Sequence, residues 1–111
     1  MVSYEKAATK ILKYLNDCYE NGRYPDAEEL NASKLRISPL QFYRTMQMLD
    51  DDGFVKGVRF QETIPPEQSV MNTPETWRIT RLGIEYFKEN SLIRKTYTTL
   101  SEARDWLQMI H

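Results

Sequence analysis

Ser38-Pro39-Leu40-Gln41-Phe42-Tyr43-Arg44-Thr45-Met46-Gln47-Met48-Leu49-Asp50-Asp51-Asp52-Gly53-Phe54-Val55-Lys56-Gly57 reads as a capped helix that runs through a glycine into a strand. Ser38 suits the N-cap, Pro39 the first helical position, and Gln41, three residues after the cap, completes a capping box. At about 100° per residue, Phe42, Thr45, Met46 and Leu49 share one side of the helix and Leu40, Arg44, Gln47 and Met48 the other. This is the grammar by which the second helix of a helix-turn-helix passes into the first strand of a winged helix.

Upstream, Tyr4, Ala7, Ala8, Ile11, Leu12, Leu15, Cys18 and Tyr19 recur at helical spacing and predict one buried stripe from Tyr4 to about Asn21. Asn21-Gly22 ends that helix, Tyr24-Pro25 extends the chain, and Asp26 is expected to cap a short helix through Glu28, Glu29, Leu30 and Ala32. Downstream, Phe54 to Phe60 predicts a strand, with Glu75 to Ile79 returning antiparallel to it. Between them Gln61 to Pro74, with Pro65-Pro66 and few apolar residues, reads as a long exposed wing tip without regular structure. Thr80 caps a helix over Arg81 to Glu89, and Ser101 caps a last one with apolar positions Ala103, Trp106, Leu107 and Ile110. The expected fold is mainly α with a small antiparallel β wing: a winged helix-turn-helix with additional C-terminal helices. One domain over 1–111 is expected, with its core over about 4–90 and the last helix over about 101–110.

The length of 111 residues suits one modest core. Hydrophobic residues at 41% and charged residues at 28% are ordinary for a globular protein,. No apolar run approaches the roughly 20 residues a membrane helix needs, and Met1 to Lys6 lacks a signal peptide's apolar stretch, so a cytoplasmic protein is expected. A lone cysteine, Cys18, excludes an internal disulfide and a cysteine zinc cluster,. Fifteen Lys+Arg against sixteen Asp+Glu leave a net charge of −1. A nucleic-acid binder with that balance must work through charge distribution.

Three local patterns carry a family resemblance: Gln41-Phe42 with Leu49, Gly53, Phe54, Val55 and Gly57; Ile79-Thr80 with Gly83, Tyr86, Phe87, Lys88, Glu89 and Asn90; and Lys95, Tyr97, Thr99 and Leu100 leading to Asp105-Trp106-Leu107. In these the chain resembles the YjcQ family of small bacterial and phage proteins. The resemblance spans most of Ser38 to Leu107 and implies a winged-helix fold, an intracellular setting and a mobile-element origin. It supplies no catalytic residues. The N-terminal portion and the wing are longer here than in the family pattern.

Candidate nucleic-acid contacts follow from chemistry. Arg44 and Gln47, with Gln41 at the flank, have the bidentate groups that read guanine and adenine. Lys56, Arg59, Arg78 and Arg81 lie on or beside the strands and, with Lys34 and Arg36, are expected to form a basic patch for phosphates. Each also has a plainer reading as a solvated surface residue. Leu40 and Met48 suit a thymine methyl or a protein partner equally. Asp50-Asp51-Asp52 reads as a solvated helix end, and the wing's Glu62, Glu67 and Glu75, with no cation from Gln61 to Glu75, make a poor phosphate contact.

Trp77, Trp106, Tyr86, Phe87 and Tyr97 read as core aromatics, and Cys18 as a buried apolar residue. The only histidine is His111, and no phosphate-binding glycine loop is present, so no enzyme, cofactor or metal is expected. Double-stranded DNA is the expected partner, with a protein partner as the alternative and a homodimer through the first and last helices as a further option.

Overall fold

The computed structural model of the chain describes residues 2–66 and 69–90. The expected helix over 101–110, with Tyr97, Trp106 and the dimer surface it would supply, lies outside them.

Helix α1 (Tyr4–Glu20) starts at Ser3, whose hydroxyl accepts from the Lys6 amide at 3.3 Å, and buries Ala7, Ala8, Ile11, Leu12, Leu15 and Cys18 as the periodicity predicts. Tyr19 is the exception, 68% exposed in the last turn, while Asn16 turns inward and donates to Glu20 at 3.2 Å. The core has ended by that turn, and the Tyr19 ring edges a surface pocket instead. Gly22, at φ +63°, takes the left-handed position after the helix,.

The expected helix at Asp26–Ala32 does not form. Asp26 instead closes a single turn, its carboxylate accepting from the Glu28 amide at 2.9 Å and its carbonyl from Leu30 at 2.9 Å. Asn31 is extended and restarts the chain as the cap of α2 (Ala32–Leu35), accepting from the Lys34 amide at 2.8 Å. Asparagine competes with the backbone for its own amides, so it divides what composition alone would join.

Helix α3 (Pro39–Asp51) has the expected register, with Phe42, Thr45, Met46 and Leu49 buried. Phe42, Met46 and Leu49 meet Ile11, Leu12 and Leu15 of α1, together with Leu30, Leu35, Val55, Trp77 and Ile79. Each such aliphatic side chain contributes about 1.5–3 kcal/mol by leaving water.

After α3 the expected continuous strand is broken. β1 (Val55–Lys56) pairs antiparallel with β4 (Arg78–Ile79), and β2 (Phe60–Gln61) with β3 (Val70–Met71), as two separate ladders. The connection is thus structured where sequence predicted an irregular tip. Pro74–Thr76 is a 3-10 turn rather than strand. Gly57 makes the break: it sits at φ +83°, and a Cβ there would fall 1.9 Å from the Thr76 carbonyl oxygen.

Asn72 bridges the gap. Its side-chain oxygen accepts from the Arg59 amide at 2.8 Å and from the Trp77 indole at 3.0 Å, while its amide donates to the Gly57 carbonyl at 3.1 Å and to Thr76 Oγ1 at 2.8 Å. Trp77, 2% exposed, is thereby seated in the core with its polar edge satisfied. Beyond β4, residues 81–90 form α4. Thr80 caps it by accepting from the Gly83 amide at 3.0 Å, and the Thr80 amide donates to the Phe54 carbonyl at 3.0 Å. Phe54 stacks on Tyr86 at 4.3 Å between centroids; Tyr86 and Phe87 are half-buried.

Two substitutions test this frame. Asn72→Ala leaves the indole N–H and the Gly57 carbonyl without partners and is expected to cost about 2–3 kcal/mol in urea unfolding. Gly83→Ala places a Cβ 2.1 Å from the Phe54 carbonyl oxygen. It is expected to cost about 1–3 kcal/mol by forcing α4 outward, seen as a lowered melting temperature.

Candidate nucleic-acid interface

Three faces divide α3. The inner one is core, and on the outer one Arg44, Met48 and Asp51 are exposed. Between them runs a flank, Leu40, Tyr43 and Gln47, that the β2–β3 arm overlies. Tyr43, 3% exposed, meets Phe60 of β2 edge-on with centroids 5.4 Å apart. One pleat on, Gln47 Nε2 donates to Glu62 Oε1 at 3.0 Å. Phe60 and Glu62, two residues apart, therefore face α3, and strand alternation turns Arg59 and Gln61 away from it.

The cleft between α3 and the arm holds about 80 Å³, bounded by Leu40, Tyr43 and Arg44 on one side and Glu62, Thr63 and Pro66 on the other. The Tyr43 hydroxyl is buried and has no hydrogen-bond partner among the described residues. Burial pushes its ionisation above the usual phenol range, reinforced by the Glu62 carboxylate and opposed by Arg44. A buried hydroxyl left unpaired costs about 1–3 kcal/mol. Past Glu62 the tip is held by Thr63, whose amide donates to Ser69 Oγ at 3.0 Å, and it presents Ile64 at 98% exposure.

The two glutamines expected to read bases are both engaged. Gln41 does not complete the capping box. The Ser38 hydroxyl accepts from the Gln41 amide at 3.0 Å, but Gln41 Nε2 reaches across to the Val2 carbonyl at 2.8 Å. The long-range bond ties the N-terminal segment to α3, a demand that sequence spacing does not show. Gln47 is held by Glu62 as described.

The residues of the expected basic patch come from several elements: α2, β1, β4, α4 and the chain before β2. Lys56 and Arg78 are register partners across β1 and β4. Arg78 is drawn away, its guanidinium 5.1 Å from the Tyr24 centroid and its Nη1 donating to the carbonyls of Glu75 at 2.6 Å and Trp77 at 2.7 Å. Arg81 faces Glu85 at 3.8 Å, an exposed pair worth little,. Lys34 and Arg36 belong to α2 and its left-handed cap. Among the described residues the ion pairs are Lys13–Asp17, Arg23–Glu29 and Arg81–Glu85, so that of the candidate cations only Arg81 has one.

Asp50 is pushed above the usual carboxylate range by burial and then by Asp51, and Asp52 caps α3, so this run acts as a helix end. No cluster of metal-ligating side chains occurs among the described residues, and no described helix is long and apolar enough to cross a membrane. Sequence reasoning also missed a pocket of about 260 Å³ at the end of α1, floored by Leu15, Cys18, Trp77 and Ile79 under Tyr24 and Arg78. Cys18 is buried there, as expected.

The profile of the YjcQ protein family matches residues 9–106. A relative from Bacillus subtilis (strain 168), named uncharacterized protein YjcQ, is 28% identical over 79 residues, covering 71% of this chain and 79% of that protein. No solved structure matches the chain significantly.

Tyr43→Phe removes the unpaired hydroxyl while keeping the ring against Phe60. It is expected to raise the unfolding free energy by about 1 kcal/mol in urea titration; a loss of stability would show that the hydroxyl has a partner in solution.

Proposed function

The chain belongs to the YjcQ family, and we propose that it is a winged-helix protein that binds double-stranded DNA, with α3 entering the major groove and the β2–β3 arm as its wing. The observation that carries this reading is Arg44: an exposed guanidinium with no ion pair among the described residues, at the centre of the outer strip of a capped helix, in an element order of three helices, strand, arm, strand and helix. Lys56 and Arg59, exposed on β1 and on the side of the arm turned away from α3, would contact phosphates beyond that helix. Arg78, Arg81, Gln41 and Gln47 are engaged within the protein and contribute less. Binding of this kind is governed by charge and salt more than by sequence, because base edges are read by side chains free to reach them. The proposed role is a non-enzymatic, transcription-regulating accessory in the cytoplasm.

One observation favours a second reading, a protein-interaction module on the same scaffold. Met48 is 43% exposed and Ile64 98% exposed, with Glu62 between α3 and the tip, and apolar groups rimmed by acid suit a protein partner.

The two readings part in a salt titration. Wild-type protein is expected to bind a random pool of short duplexes at low salt, with an affinity that falls as salt rises. Arg44→Ala with Arg59→Ala is expected to abolish that binding while the melting temperature stays nearly unchanged. Unaltered affinity in the double variant would exclude the proposed face. Absence of binding by the wild type even at low salt would favour the protein module.

A further inference from the structure

We propose that the pocket at the end of α1 is a binding site for a small aromatic carboxylate, its ring on the pocket floor and its carboxylate against Arg78. The inference uses none of the α3 residues on which the DNA reading depends. The pocket holds about 260 Å³. That is just below the span of about 300–1,000 Å³ usual for small-molecule sites, so it suits a single ring with a short side arm. The floor is Leu15, Cys18, Trp77 and Ile79, none more than 8% exposed, and Tyr19 and Tyr24 stand at the rim 68% and 73% exposed. Two tyrosine rings and a cysteine sulfur favour a planar aromatic body over a branched aliphatic one, because ring faces stack and sulfur makes favourable contacts with ring edges.

The wall of the pocket is fixed before a ligand arrives. Gly22 turns the chain at φ +63°, the Arg23 amide donates to the Cys18 carbonyl at 2.9 Å, and the Asp26 amide donates to the Tyr14 hydroxyl at 2.8 Å, so the segment carrying Tyr24 is held at both ends. Arg78 is held from the opposite side. Its Nη1 donates to the carbonyls of Glu75 at 2.6 Å and Trp77 at 2.7 Å, and its guanidinium lies 5.1 Å from the Tyr24 centroid. All three partners are neutral. They orient the guanidinium without cancelling its charge, and Nε and Nη2 are the donors that would form a fork with a carboxylate. The acids nearby are turned to other groups: Glu29 to Arg23 and the Tyr14 hydroxyl, Asp26 to the Glu28 amide, and Glu75 to Thr73. An apolar floor with one oriented cation at its edge is complementary to a ligand that is apolar at one end and anionic at the other.

Four probes titrated into the full isotope-labelled chain test the site: phenylacetate, its neutral amide phenylacetamide, the cation phenethylamine and the saturated acid cyclohexylacetate. Binding is read, up to millimolar concentration, from the chemical shifts of the Trp77 indole N–H and of the Cys18 and Tyr24 amides. Phenylacetate is expected to move these signals to saturation, with an affinity about fivefold or more above those of phenylacetamide and cyclohexylacetate, and phenethylamine is expected not to saturate them. Added salt should weaken phenylacetate and leave phenylacetamide unchanged. Arg78→Gln should lower phenylacetate to the affinity of its amide, Arg78→Lys should recover part of the loss, and Lys6→Gln, at the other end of α1, should change nothing. The wild-type comparison of acid with amide needs no variant to fold. Equal affinity for those two would overturn the role of Arg78 and with it the ligand class. Equal affinity for phenylacetate and cyclohexylacetate would overturn the aromatic assignment. Shifts centred outside the pocket, or none with any probe, would overturn the site itself and leave duplex binding by α3 untouched.

Discussion

Burial of the Trp77 indole is the constraint from which the outer half of the molecule follows. Its ring packs on Phe42 at 6.0 Å and completes the core between α1, α3 and β4, but its N–H must find an acceptor inside the protein,. Asn72 Oδ1 supplies that acceptor, and the Asn72 amide is held in turn by the Gly57 carbonyl and Thr76. That approach leaves no room for a side chain at Gly57. The ladder breaks there, the chain changes course, and the arm rises with Phe60 and Glu62 toward α3. A core requirement thus sets the position of a surface feature.

The arm narrows what α3 can offer. A helix whose whole outer face was open would present Leu40, Arg44, Gln47 and Met48 together; with the arm in place, Arg44 and Met48 are exposed while Leu40 and Gln47 are half-buried. The net charge of −1 adds a further restriction, and on α3 itself Arg44 is the one cation. Affinity for a duplex on such a face would depend on a small number of charges.

Local signals were legible in the sequence. The caps at Ser38 and Thr80, the stop at Gly22 and the 3.6-residue periodicity of α1 and α3 are each decided within a few residues, and each is present. What spacing could not show depends on partners distant along the chain. Gln41 reaches Val2 across 39 residues, Gln47 meets Glu62 across 15, and Asn72 joins Gly57 to Trp77. The candidate site suffered most, because long polar side chains that look free on a helical wheel are the ones best able to reach such partners. Tyr43 was overlooked for a related reason: it sits at the edge of the apolar stripe, and only the arm makes that edge interior. Asn31 shows the converse, a polar residue whose local bonding splits a segment that propensity would have joined.

Chemical-shift mapping of isotope-labelled protein, titrated with a short duplex at low salt, asks whether α3 presents a duplex-binding strip centred on Arg44. Progressive shifts are expected at Leu40, Arg44 and Met48 and in the side-chain amide of Gln47, with Tyr19 to Tyr24 at the far end of α1 undisturbed. Shifts gathered instead around Tyr19 to Tyr24, or none at any duplex concentration, would contradict it.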